Sequence, residues 1–304
     1  MYVTFKTNNP DSVPKCPTPI PAGCLGSSYS SVMGVLDDPG PSPTNLQFTG
    51  LYTLSGPAPS TLSGPSSAPP TPKAVSVALH SPGLFVNNSI ATGTDGYIYI
   101  WGSAGGLQDK TNPAKPSCEY GLEQCSRHSP VYLARIPVGM IARASGDGRP
   151  ADIQYFDKTS FAPVGSLESV ATPLFTDSPP CVGELGVEYD PYVGSWVMLY
   201  NCADNTPEHP PGIWMRTAPQ PWGPWSAPQT IDHGGGPYAP YFIAGWTTGT
   251  SATAAAAATS TFYYTVSSFK PYGVVIMKTT VKWGYPLPLP PKPAPPSCKG
   301  TKCM

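Results

Sequence analysis

A chain of 304 residues with a formal net charge of −1 and only 12% charged residues lacks the basic surplus that phosphate backbones demand, which excludes nucleic acid as a partner. No apolar run approaches the ~18 residues needed to cross a bilayer as a helix. The 42 Pro and 31 Gly, with Tyr, Trp, Thr and Ser plentiful, oppose helices and predict an all-β chain of short strands joined by turns and long loops.

Residues 2–6 read as a strand from the start of the chain, followed by a Pro/Ser-rich loop with Cys16 and Cys24. Residues 29–36 and 45–54 are the next strands. Residues 55–73 are low in complexity and read as a flexible insertion. Strands follow at 75–79 and 84–91, then a GTDG turn and the aromatic strand YIYIWG at 97–102. A long loop carries Cys118, Cys125, Arg127 and His128 ahead of strands at 130–136 and 153–156. Residues 185–189 and 196–200 form a hairpin across Asp190-Pro191-Tyr192-Val193-Gly194, whose Asp-Pro step and Gly are turn chemistry. Strands at 213–217 and 229–231 complete that unit. The last unit has strands at 238–246, 262–266 and 272–282, with the small-residue stretch TGTSATAAAAATS read as a loop. Residues 284–304 form a Pro-rich tail.

The eight cysteines fall into four local pairs, Cys16–Cys24, Cys118–Cys125, Cys181–Cys202 and Cys298–Cys303. Even, tight pairing predicts disulfides and an oxidising compartment, hence secretion. Zinc is the weaker alternative, because no CxxC occurs and the His are scattered. Asn87-Asn88-Ser89 is a glycosylation sequon at Asn87. The N-terminus MYVTFKTNNP has no apolar core of a signal peptide. Units of strand, turn, aromatic strand, loop, strand recur without helices, which predicts propeller blades over a flat sandwich.

The stretches GELGVEYDPYVGSWVMLYN, GIWMRTAPQPWGPWSAPQTI, SPVYLARIP and YYTVSSFKPYGVVIMKTTV resemble the domain-of-unknown-function 4185 family, over roughly residues 1–283. The resemblance implies a five-bladed β-propeller grouped with secreted glycoside hydrolases that cut D-arabinan. It also implies that the first blade, and the innermost strand of the next, would precede Met1. In such propellers the first blade commonly supplies one catalytic carboxylate.

Propeller geometry sorts the candidate residues, since innermost strands begin at the axis on the ligand face. Glu184 starts such a strand and is the expected catalytic acid/base, because glycoside hydrolysis uses a pair of carboxyl groups. Arg127 matches a family Arg position and would orient sugar or a carboxylate; His128 reads as structural. Asn88, Tyr238, Tyr241 and Asp204 are the further substrate-binding candidates. A glycan at Asn87 and a ligand contact by Asn87 exclude each other. Asp177, Glu208 and His209 read as loop charges, Asp95 and Asp190 as turn formers, and Trp222 and Trp225 as packing between blades. Asp37, Asp38 and Asp147 lack calcium-loop spacing. The expected protein is a monomer that needs no cofactor or metal and acts on a polysaccharide. A carbohydrate-binding propeller without catalysis, or an inactive fragment, is the alternative.

Overall fold

The computed structural model describes residues 2–8, 28–36, 48–55, 83–103, 108–109, 125–126, 130–145, 149–175, 182–202, 212–232, 238–253, 256–269 and 272–283. Among these the chain is all β, with two short 3-10 turns and no α-helix. Among the described residues no helix is long and apolar enough to cross a membrane.

Four antiparallel sheets follow one another along the chain. The first joins β1 (Tyr2–Asn8), β2 (Ser28–Leu36) and β3 (Phe48–Ser55). The second is built from β4 (Asn87–Thr92) and β5 (Tyr97–Ser103), then, beyond a small ribbon of β6 (Gln108–Asp109) and β7 (Cys125–Ser126), β8 (Val131–Pro137), β9 (Gln154–Asp157) and β10 (Ser160–Phe161). Its order is β10-β9-β8-β5-β4. The third runs in sequence order through β11 (Leu185–Asp190), β12 (Ser195–Cys202), β13 (Gly212–Ala218) and β14 (Gln229–Asp232). In the fourth, β15 (Tyr238–Phe242) and β16 (Thr248–Thr250) both pair with β17 (Ala258–Phe269), whose other edge carries β18 (Tyr272–Trp283).

Local chemistry explains the hairpins. Asp95 Oδ2 accepts the Tyr99 hydroxyl at 2.6 Å, and Gly96 takes φ 85°, a region open to glycine at little cost. At the β11–β12 turn, Asp190 Oδ1 accepts the amides of Tyr192 at 2.9 Å and Val193 at 3.4 Å, and Gly194 has φ 66°. Asp95 and Asp190 are thus turn formers, as their sequence context predicts.

Side-chain alternation along the middle strands then glues the sheets together. Met33, Tyr52 and Leu54 of the first sheet pack with Ile98, Ile100, Ile136 and Tyr155 of the second. Tyr99, Trp101 and Leu133 pack with Val187, Trp196, Met198 and Tyr200 of the third. The opposite face of β12, Val197 and Leu199, packs with Phe262, Tyr264 and Val266 of the fourth. All eight residues of β12 are therefore buried. Trp222 stacks on Phe156 and meets Phe161 edge-on, so it joins the third sheet to the second.

Several expectations change. Residues 243–246, expected within a strand over 238–246, form a turn after β15. The small-residue stretch is not all loop: Thr248, Gly249 and Thr250 pair with Thr261, Ser260 and Thr259. The Thr250 and Thr259 hydroxyls meet at 2.6 Å, a cross-strand pairing that β-branched Thr favours over helix or coil. Leu84 and Phe85 lie in a turn before β4 rather than in the strand, with both amides bonded to side chains, Leu84 to Glu168 and Phe85 to Ser55 Oγ at 2.9 Å. The strand expected at 75–79 and the tail at 284–304 lie outside the described residues, as does the insertion expected at 55–73 apart from Ser55, which ends β3.

Candidate functional site

The first strands of three successive sheets come together, with β11 lying against both β4 and β15. Two close approaches fix this. The Val187 amide donates to Ser89 Oγ of β4 at 2.8 Å. On the other side, Gly186 admits the Pro240 carbonyl and Tyr241 Cα of β15 into the space a Cβ would fill. A side chain at 186 would push β15 away.

The hairpin register can be counted outward from its turn. Asp190 faces Ser195, and Leu185 faces Tyr200. One step further, Glu184 and Asn201 are opposite each other, and the Asn201 amide donates to the Glu184 carbonyl at 3.2 Å. The Gly183 amide donates to the Asn201 carbonyl at 3.0 Å. Leu185 and Val187 join the core shared with the second sheet. The alternate positions 184, 186, 188 and 190 therefore point to the β15 side.

Glu184 is half-buried there. Its charge reaches Tyr241: burial pushes the Tyr241 phenol well above the usual tyrosine range, and Glu184 adds to it. Ser103, at the end of β5, donates its hydroxyl to the Gly183 carbonyl at 2.8 Å. This ties the second sheet to the peptide just before Glu184. Asn201 is 8% exposed, and its Oδ1 is buried without a hydrogen-bond donor. Its side chain lies where a Cβ on Gly183 would sit, with Nδ2 at 2.6 Å from that point.

Asn88 and Asn87 open β4, and both are buried. Asn88 Nδ2 donates to the carbonyls of Phe85 at 3.0 Å and Val86 at 3.4 Å. A glycan on Asn87 would need solvent around its amide, and Asn87 is 7% exposed. Tyr238 and Tyr241 both lie in β15, half-buried. Cys202 ends β12, buried and disulfide-bonded. Arg127, Asp204, His128, Asp177, Glu208, His209, Asp37, Asp38 and Asp147 lie outside the described residues, as do Cys16, Cys24, Cys118, Cys181, Cys298 and Cys303. Of Cys125 only the backbone is described. Among the described residues no three His, Cys, Asp or Glu side chains gather as metal ligands.

Two residues of this strand face were missed from sequence. Asn201 is found by counting pairs outward from the DPYVG turn. Glu188 is found from the alternation of acid and apolar residues in ELGVEYD. Burial and then the nearby Asp190 push the Glu188 carboxyl up to about 7, against a hydrogen bond from Thr247 that lowers it. Glu188 Oε2 and Asp190 Oδ2 are both buried without a hydrogen-bond partner.

These features define an all-β protein in which the first strands of consecutive sheets converge on a polar cluster around one glutamate. The chain belongs to the family described as Domain of unknown function (DUF4185), whose profile matches residues 119–278, more than half of its length. Glu184, Asn201 and Tyr241 fall inside the matched segment, whereas Asn87, Asn88 and Ser103 precede it. A search among curated proteins finds no match to the chain.

Proposed function

We propose that the chain forms part of a five-bladed β-propeller and acts as a secreted glycoside hydrolase on a furanose-containing polysaccharide such as D-arabinan, with Glu184 as acid/base. The observation that carries this reading is the position of Glu184. It immediately precedes the strand held between β4 and β15, with its charge felt at the Tyr241 phenol. A carboxyl group beside an aromatic phenol suits a neutral, hydroxyl-rich ligand. Membership of the matched family and the succession of antiparallel sheets support the propeller.

Hydrolysis needs a second carboxyl group about 5–9.5 Å away. Glu188 shares the face of Glu184, but four residues of strand separate them by about 13 Å. Glu188 is therefore too far along β11 to be that partner. Asp204, in the segment after β12, is the second carboxylate that the sequence offers for this role. With no second carboxyl group at that spacing from Glu184 along β11, the alternative is a carbohydrate-binding propeller without catalysis.

The test is reducing-sugar release from D-arabinan by the full chain beside Glu184→Gln. The acid/base role predicts that the variant falls by about 100-fold or more with unchanged thermal stability. Equal release by the two proteins removes Glu184 from the chemistry. Binding of arabinan by both, with release by neither, supports the non-catalytic alternative.

A further inference from the structure

We infer that Asn201 is the hydroxyl-reading residue of the Glu184 site, its side-chain oxygen accepting a hydrogen bond from a neutral sugar. This rests on the carbohydrate reading above and adds a specificity-determining residue to it.

Three observations carry it. First, Asn201 stands directly across the hairpin from Glu184, one pair beyond Leu185–Tyr200, with its amide donating to the Glu184 carbonyl. Gly183 and Glu184 both bond the Asn201 backbone there, and Asn201 continues the side of β12 that holds Val197 and Leu199. That side faces β15, because Val197 and Leu199, which alternate with the even positions of β12, belong to the core shared with the fourth sheet. A molecule touching the Glu184 carboxyl from this side also meets Asn201.

Second, Asn201 Oδ1 is buried and has no donor. A buried amide oxygen left without a donor costs free energy, and native chains keep few of them. The backbone of Asn201 is already engaged on both sides, its amide with Glu184 and its carbonyl with Gly183. The acceptor is ready for an O–H that arrives with a ligand.

Third, the side chain has a seat cut for it. Position 183 is Gly, and a Cβ there would lie 2.6 Å from Nδ2 and 2.9 Å from Oδ1 of Asn201. The Gly183 carbonyl is in turn held by Ser103. The amide is thus placed by two sheets rather than by its own rotamer preference, as a group meant to be preorganised would be.

The experiment measures calorimetric binding of linear D-arabinofuranose oligosaccharides to the full chain carrying Glu184→Gln, so that the ligand survives. Adding Asn201→Ala weakens binding by about tenfold, the loss expected when a site loses its partner for a ligand hydroxyl. Adding Asn201→Asp instead, which keeps an acceptor oxygen, holds affinity within about threefold of the parent. A merely structural role would not separate the two. Thermal unfolding checks each protein, and Asn201→Leu, of similar shape without the acceptor, takes the place of Ala if that variant unfolds. The inference is overturned if Ala or Leu binds as the parent does, or if Asp falls as far as Ala. A parent that binds none of these sugars overturns the carbohydrate reading itself, and this inference with it.

Discussion

Glu188 is the residue whose charge the fold resists most openly. It sits on β11 beside buried Asp190, and both carboxyls have an oxygen without a partner. Burial first, and Asp190 second, raise it from about 4.5 to about 7. Between those values the folded chain keeps the proton and the unfolded chain releases it. Stability contributed by this group is therefore full below pH 4.5 and declines as pH rises through 7. Glu188 is only half-buried, so solvent screening cuts the effect to about 1 kcal/mol. Glu188→Gln carries no charge at any pH. Urea unfolding at pH 5 and pH 8 is expected to show the wild type losing about 1 kcal/mol more than the variant over that interval. The variant should be the more stable protein at pH 8. Equal slopes for the two would mean that Glu188 ionises freely in the folded chain.

At the scale of elements, the β5–β12 contact decides how firmly the second and third sheets hold together. Trp101 is fully buried, its ring centroid 5.0 Å from that of Trp196 and 5.9 Å from that of Tyr99. Its Nε1 donates to the Pro221 carbonyl at 2.9 Å, across the sheet interface. Trp101→Phe keeps an aromatic ring but leaves that carbonyl unpaired and a void where the indole was. A loss of about 2 kcal/mol follows, read as a lower denaturant midpoint with unchanged slope. A loss under about 0.5 kcal/mol would put the strength of this interface elsewhere. The strands themselves were legible because alternation and turn residues coincide: YIYIWG after GTDG, and the two arms around DPYVG. What the sequence hid was partnership. Asn201 looks like the last residue of an apolar strand until the register from Asp190–Ser195 places it opposite Glu184. Gly186 looks like a weak spot in a strand until β15 is seen passing over it. Strand β16 hid for a different reason, since Thr-Gly-Thr has no apolar face and its pairing rests on hydroxyl and backbone contacts with β17.

The described chain is a succession of sheets, and the last of them is exposed in a way the middle ones are not. The second and third sheets each have a core on both faces, whereas the fourth shares one with the third alone among the described residues. Its last strand, β18, pairs with β17 along its whole length, and no described strand takes its other edge. Val274, Val275 and Ile276 on that strand are 65%, 55% and 58% exposed. An apolar edge strand with free backbone groups is a template for pairing with another chain. Lys278 and Lys282 lie in the far half of β18, and Lys278 is drawn over the Tyr263 ring at 5.8 Å; the described residues of the half that holds 274–276 carry no charge. Chain-to-chain contact should therefore begin there. Ile276→Lys places a charge at the centre of that half, on a side chain already in solvent, so folding stability should change by less than about 0.5 kcal/mol. Light scattering over rising protein concentration should show the wild type gaining apparent mass and the variant staying at the mass of one chain. If both proteins scatter alike at every concentration, β18 is not the edge through which this molecule associates.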